Sequence, residues 1–439
     1  MILKANRAKL FATSSWLNLI ILILLTSLIT LPRVLSFPPT FLAPDEMKIG
    51  VWVSEMADAL LSGAWEKTAI TNNPYPVVTL AWLEALQAKV MPLLPGQSIT
   101  EAGMLSSADE DVFAALPRRR LSLALLNSLI ILAIFWLLQR LYNHFVAVTA
   151  TILIALDPFL LTESRVFRAE GLTAGLMMLS ALTIILYAKE RRGRWLIASG
   201  VLAGLATLTR ISAFYLFPFA GLVLLAWPVL TGERNLIRIL GQTTRDIFLW
   251  GLVMAATFVA FWPALWVSPL DGPGKLYGAL QPVFTDTTRV WSKGVFFQGQ
   301  AMRQIDPGVA FYLYAIAYRT TPLIWFGLAA ALVGAVLFLR RRGEEMKRRG
   351  GEEAERLEKL EPSRLLVSSP PRVLASSPHL ATTLLILAYI ACYFVAINLS
   401  ATKIDRYLVA ILPGLAILAA LGFNWLISSF AGLGRLTWL

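Results

Sequence analysis

Long apolar runs recur along almost the whole chain, each bounded by charged or turn residues, and this recurrence constrains the fold more than any other feature. A helix needs roughly 20 apolar residues to cross the hydrocarbon core of a bilayer. About ten runs meet that length, centred near Ile23, Ile130, Ile152, Met178, Ala203, Leu222, Ala255, Leu332, Ile386 and Ile417. Composition points the same way: 57% hydrophobic and 15% charged residues leave too little polar surface to solvate a globular body of 439 residues. The prediction is an all-α, multi-pass membrane protein. Only Thr209-Arg210 divides the runs near Ala203 and Leu222, which allows a tight hairpin or one long broken helix.

The net charge of +12 would suggest nucleic acid in a soluble protein. Here the basic residues sit in short runs between apolar segments, as they do when Lys and Arg fix topology and touch anionic headgroups, so no nucleic-acid partner is expected. Lys4, Arg7 and Lys9 precede a run from about residue 10 to 35 that is long enough to span and is followed by no small-residue cleavage site, so a retained first span is expected. The cluster Lys189-Glu190-Arg191-Arg192-Gly193-Arg194 and the run Arg340-Arg341-Arg342 are predicted to be cytoplasmic. The loop 36–118 has the opposite character, with Asp45, Glu46, Glu55, Asp58, Glu66, Glu84, Glu101, Asp109, Glu110 and Asp111 against Lys48, Lys67 and Lys89. An even number of spans then leaves both termini in the cytoplasm and the acidic loop outside the cell membrane.

This gives a transmembrane core, 1–339, with outer loops at 36–118 and 269–308, a cytoplasmic linker at 340–379, and C-terminal spans at 380–439. The linker mixes charges of both signs with turn residues and is expected to be disordered or partly helical. In the first loop, Ile49, Trp52, Val53, Met56 and Leu60 share a helical face, and Val78, Trp82, Leu86 and Val90 repeat the pattern after a turn at Asn72-Asn73-Pro74-Tyr75-Pro76. Two helices of the kind that lie in the membrane interface are expected, either as ordinary amphipathic helices of a small outside domain or as walls of a groove for a lipid-linked substrate. In the second loop, Arg289, Trp291, Lys293, Phe296 and Phe297 mix cations with aromatics, as either a lid over a site or a plain structured loop would. Cys392 is the single cysteine, so no intrachain disulfide forms. His144 and His379 fall on the inner side without cysteine partners, so no metal-ligand spacing is visible.

Four groups of ionisable residues fall on the outer side: Asp45-Glu46, Arg118-Arg119-Arg120, the segment Asp157 to Glu170 with Glu163, Arg165 and Arg168, and Lys403 with Asp405-Arg406-Tyr407. Basic runs outside the membrane oppose the usual bias, and ionisable groups at the edge of a bundle are costly unless paired or functional. A helical turn would place Arg165 with Arg168, and Glu163 with Glu170, on common faces. One carboxylate among several cations suits transfer of a sugar from a lipid phosphate. The phosphate leaves without a general acid, the cations hold it, and the carboxylate takes the proton of the attacking hydroxyl. A hydrolase would need two carboxyls set across the bond, which the adjacent Asp45 and Glu46 do not provide. The acidic pair leaves binding of a divalent cation open.

On these motifs the chain resembles the GT-C superfamily of integral-membrane glycosyltransferases, in particular the protein mannosyltransferase and aminoarabinose-transferase group. Pro44-Asp45-Glu46 stands where that family has its acidic pair, which implies Asp45 as the catalytic base and Glu46 as an orienting or assisting carboxylate. Arg120-Leu121-Ser122 is similar to its Arg-Leu-Pro, and Ser164-Arg165 followed by Glu170 is similar to its Ser-Arg and Asp spacing, with Glu for the usual Asp. Lys403, Arg406, Tyr407 and Pro413 are similar to its pattern at the last span. The resemblance implies a GT-C fold and Arg120, Arg165, Lys403, Arg406 and Tyr407 as donor-phosphate ligands, with Arg168 and Glu170 as further site candidates. It also implies an inverting transfer from a polyprenyl-phosphate sugar to a protein, glycan or lipid acceptor outside the membrane. Where many relatives have His-Pro or Lys-Pro-Pro in the first loop, this chain has Asn73-Pro74-Tyr75-Pro76. A polyprenyl-lipid flippase or transporter would use the same cations. Such proteins tend to show internal repeats and midplane charges, neither of which is visible here.

Overall fold

The computed structural model describes residues 19–35, 43, 45–69, 76–90, 107–268, 274, 295–302, 306–358, 378–399 and 403–436. In chain order the helices are α1 (Leu19–Val34), α2 (Glu46–Ser62), α3 (Val78–Val90), α4 (Ser107–Leu141), α5 (His144–Leu156), α6 (Pro158–Glu163), α7 (Ala169–Glu190), α8 (Gly193–Thr209), α9 (Leu216–Leu230), α10 (Leu236–Phe261) and α11 (Ala264–Val267). A β-hairpin (Val295–Phe297, Gln300–Met302) follows, then α12 (Ala310–Arg319), α13 (Pro322–Glu358), α14 (Pro378–Leu399) and α15 (Leu412–Leu436). Seven of these helices are long and apolar enough to cross a membrane, and α1, α5 and α8 are shorter apolar helices.

The bundle is wound about α7, whose apolar stretch is 94% buried against 22% for α10 and for the start of α13. α8, α9, α4 and the turn before α15 all pack on it. α7 and α8 join at Arg191-Arg192, and Arg210 returns to the starting end of α7, so α8 and α9 form a hairpin rather than one broken helix. A 3-10 turn, Ile211–Tyr215, makes the reversal. At the opposite end Lys189 donates to the Arg140 carbonyl at 2.9 Å, and His379 lies 3.1 Å from the Leu141 carbonyl. The ionisable clusters singled out above therefore gather at one end of the bundle.

Several expectations change. The run near Ile152 is not one crossing helix: α5 has 13 residues and stops at Asp157. Pro158 lacks an N–H and opens the short α6, while Asp157 Oδ1 accepts from the N–H groups of Phe159 (3.1 Å) and Leu160 (2.9 Å). The segment from Ser164 to Arg168 is a turn rather than a helix, with Arg168 extended at φ −141°, so the predicted Arg165/Arg168 and Glu163/Glu170 faces do not form. α2 buries Ile49, Val53, Met56 and Leu60 as expected. In α3, Val78, Leu80, Ala81 and Ala85 are buried, while Leu86 and Val90 are exposed. The small alanines allow a close approach to α2 and α8, and Thr79 Oγ1 fixes the rotation by donating to the Leu205 carbonyl at 3.0 Å. The first part of the linker is helical through Glu358, since no proline interrupts residues 323–358 and Glu, Lys, Arg and Ala favour helix. Residues 359–377 lie outside the described residues, as do Lys4, Arg7, Lys9, Pro44, Asn72, Asn73, Pro74, Tyr75, Arg289, Trp291 and Lys293. The one strand pairing among the described residues is the hairpin, whose turn at Gln298 and Gly299 has positive φ at both positions (51° and 79°).

Candidate active site

Asp45 and Glu46 are adjacent in sequence and have unrelated environments. Glu46 is fully buried and accepts four hydrogen bonds: Arg120 Nε at 2.8 Å, Arg120 Nη2 at 2.6 Å, Phe167 N at 2.8 Å and Ala43 N at 3.1 Å. A carboxylate has about four lone-pair positions, and here all are occupied. Glu46 thereby ties the start of α2 to α4 and to the turn before α7. Glu46, expected to orient or assist, forms a buried bidentate ion pair with Arg120. No three His, Cys, Asp or Glu side chains cluster as metal ligands among the described residues.

Asp45 precedes α2 in the left-handed region (φ 68°, ψ −6°), which Asp tolerates better than most residues but which still costs about 1 kcal/mol or more. Its side chain makes no cap bond to its own helix. It points instead at Arg406, with Oδ2 2.7 Å from Nη2, and remains 40% exposed. Arg406 also places Nε 3.1 Å from Glu170 Oε1, which accepts from Arg210 Nη1 at 2.8 Å. The Arg210 guanidinium lies 4.3 Å over the Tyr407 ring. One chain of charges thus links the first outer loop, the first turn of α7, the α8–α9 reversal and the 3-10 turn Asp405–Ala410. Gly171 makes this possible on α7, because a Cβ there would collide with the backbone of Glu163.

Asp45 opens onto a cavity of about 770 Å³ walled by Glu163, Arg168, Tyr318, Arg319, Asp405 and Arg406. Glu163 Oε1 accepts from Arg168 Nη2 at 2.6 Å, while its Oε2 is buried with no partner among the described residues. Burial pushes the Glu163 carboxyl up to about 7, with Arg168 opposing the shift. A second cavity of about 570 Å³ adjoins the first and is lined by Phe296, Phe297, Phe311, Tyr314, Tyr318 and Lys403. Lys403 is 1% exposed; its Nζ donates to the Asn398 carbonyl at 2.9 Å and stands 3.7 Å from Asp306 Oδ1 and 5.7 Å from the Tyr312 ring. Tyr318, Arg319, Ile404 and Asp405 line both cavities. Arg319 Nε donates to Asp405 Oδ2 at 2.9 Å across that seam.

Of the residues expected at the site, Asp45, Arg168, Lys403 and Arg406 face a cavity. Arg165 turns away toward the Pro32 carbonyl, 3.4 Å from its Nη1. Tyr407 and Glu170 support Arg210 and Arg406 from behind. Sequence reasoning assigned no role to Glu163, Arg210, Arg319 or Asp405. Arg210 and Arg319 each end an apolar stretch without belonging to a basic run, and that isolation was the available signal.

The family model for dolichyl-phosphate-mannose-protein mannosyltransferases matches residues 118–266, from the arginines of α4 through α11. Among solved structures, ArnT from Cupriavidus metallidurans bound to undecaprenyl phosphate superposes with a TM-score of 0.56 at 17% identity, over 94% of this chain and 60% of that one. The archaeal oligosaccharyltransferase AglB from Archaeoglobus fulgidus, in complex with an inhibitory peptide and a dolichol-phosphate, gives 0.56 at 14% identity, over 96% of this chain and 52% of that one. The fold is that of the GT-C superfamily. The chain spans about half to three-fifths of the length of the structures it resembles. No curated protein matches it in sequence. The two cavities sit at the end of the bundle where α2, led in by Asp45, packs back onto α4 and the turn before α7.

Proposed function

We propose that this chain is an inverting glycosyltransferase that moves a sugar from a polyprenyl-phosphate donor to an acceptor hydroxyl on the extracytoplasmic side of the cell membrane, with both termini in the cytoplasm. The observation that carries this reading is the exposed Asp45 carboxylate, held 2.7 Å from Arg406 in a polar cavity that opens through Arg319–Asp405 into an aromatic one. The aromatic cavity suits the first isoprene units, and the polar cavity suits the sugar and acceptor. The phosphate belongs at the seam, between Lys403 on one side and Arg406 on the other. Undecaprenyl phosphate and dolichol-phosphate in the two structural neighbours support a donor of this class. The sugar and the acceptor, whether protein, glycan or lipid, are set by contacts within the larger cavity.

The step is a single displacement. The acceptor oxygen forms a bond to the anomeric carbon as its proton passes to Asp45. The carbon–oxygen bond to phosphate breaks, and its electron pair goes to the phosphate oxygen. In the resting state Arg406 holds the Asp45 carboxylate in an ion pair. A donor phosphate competing for Arg406 loosens that hold when the substrate is present. Lys403, Arg406 and Arg319 then neutralise the departing dianion.

The test is incubation of the purified protein in detergent with a panel of polyprenyl-phosphate sugars and candidate acceptors, following free polyprenyl phosphate. Release by the wild type and its loss in Asp45→Asn, with unchanged thermal unfolding, is the expected result. Full activity in Asp45→Asn refutes the assignment of the base, and no release from any donor refutes the reading.

A further inference from the structure

Arg33, near the end of α1, carries a charge that no group of the described fold neutralises. It is 1% exposed. Its Nη1 donates to the carbonyls of Ile29 (2.7 Å) and Ala155 (3.2 Å), while Nε and Nη2 are buried with no partner among the described residues. No carboxylate pairs with it among those residues. The charged neighbour that acts on it is the like charge of Arg165, whose Nη1 lies 3.4 Å from the carbonyl of the preceding Pro32. An ionised group taken out of water without a counter-charge is costly by several kcal/mol, so the location calls for an anion.

A small cavity of about 30 Å³ lies against this guanidinium, lined also by Asn127, Ile130, Ser164 and Gly175. A volume of this size holds about two waters, or one halide-sized ion in their place. It does not admit a phosphate bearing a lipid chain. Asn127 Nδ2 donates to the Ser164 carbonyl at 3.1 Å, so the cavity abuts the turn from Ser164 to Arg168 that positions Arg168 at the active site.

We propose that this cavity is a binding site for a small monovalent anion, chloride being the abundant one, with Arg33 as its principal ligand. The ion offsets the repulsion between Arg33 and Arg165 and clamps α1 to the Ser164–Arg168 turn. This holds whether or not the chain transfers sugars, since it rests on Arg33 and its cavity alone.

The experiment uses the full chain purified in detergent with chloride replaced by gluconate at constant ionic strength, then titrated with chloride or bromide while thermal unfolding is followed by tryptophan fluorescence. The expected result is a saturable rise in midpoint of about 2–4 °C in the wild type and none in Arg33→Met. A flat response in the wild type overturns the proposal, and so does an equal rise in both proteins, which marks a general salt effect. Should Arg33→Met fail to fold, chloride-35 NMR of the wild type decides. Excess line broadening displaced by bromide supports the site, and its absence overturns it.

Discussion

The contact between α13 and α15 and the contact between the outer loop and the bundle both bring distant segments together, with opposite chemistry. α13 and α15 meet through glycines: a Cβ at Gly422 would run into the backbone of Gly327, so the two helices approach nearly to backbone contact. Close packing of this kind is what holds helices together in lipid, where apolar burial gives no advantage. The outer loop is held by buried charge instead. Glu46 pairs with Arg120, and Glu84 accepts from Arg119 Nε at 3.0 Å, so that two short helices are pinned to one face of α4. The apolar contact tolerates no added volume, and the charged contact tolerates no missing partner.

Several experiments would break or sharpen that contrast. The largest effect is expected from the adjacent carboxylates: Asp45→Asn should lower transfer by about 10²–10⁴-fold while leaving unfolding unchanged. Glu46→Leu should instead lose about 3–5 kcal/mol of stability, measured by denaturant or thermal unfolding, because the buried Arg120 loses its carboxylate partner. If both variants are stable and inactive, the division between a reacting and a structural carboxylate fails. Next in size, Glu163 should impose a pH dependence on stability. Its ordinary value of 4.5 rises to about 7 on folding, so between those values the folded protein binds more protons than the unfolded one. Stability therefore falls as pH rises through that window, and Glu163→Gln should flatten the slope. On the apolar side, Gly422→Val should cost about 1–3 kcal/mol by overpacking, with transfer per folded molecule largely retained. The smallest stability effect is expected for Arg319→Ala, at most about 1 kcal/mol, because that pair is half exposed. A change in donor KM there, without a change in unfolding, would place the phosphate at the seam between the cavities.

The sequence was most legible where a single physical preference operates over many residues. Apolar runs of span length gave the helices around Ile130, Met178, Ala255, Leu332, Ile386 and Ile417 because burial of backbone polar groups in lipid leaves helix as the available form. The Ile152 run misled because its apolar character continues past Asp157-Pro158, and only the capping geometry shows the break. In α3 the choice of contact residues was not readable: alanines make the close contact, while Leu86 and Val90 face outward.

Within the site, the residue types and their placement at one end of the bundle were readable from order and charge, and the division of labour was not. Asp45 and Glu46 look interchangeable as text. They differ because the chain enters α2 in a left-handed conformation that sends one side chain outward to Arg406 and the next inward to Arg120, partners 361 and 74 residues away. The sequence by itself determined an all-helical membrane bundle with its ionisable residues collected at one end, because hydropathy and charge bias act locally. The tertiary structure alone decided which charges cancel one another and which face open space. Pairing energies depend on distances of a few ångströms between side chains that the chain order does not bring together.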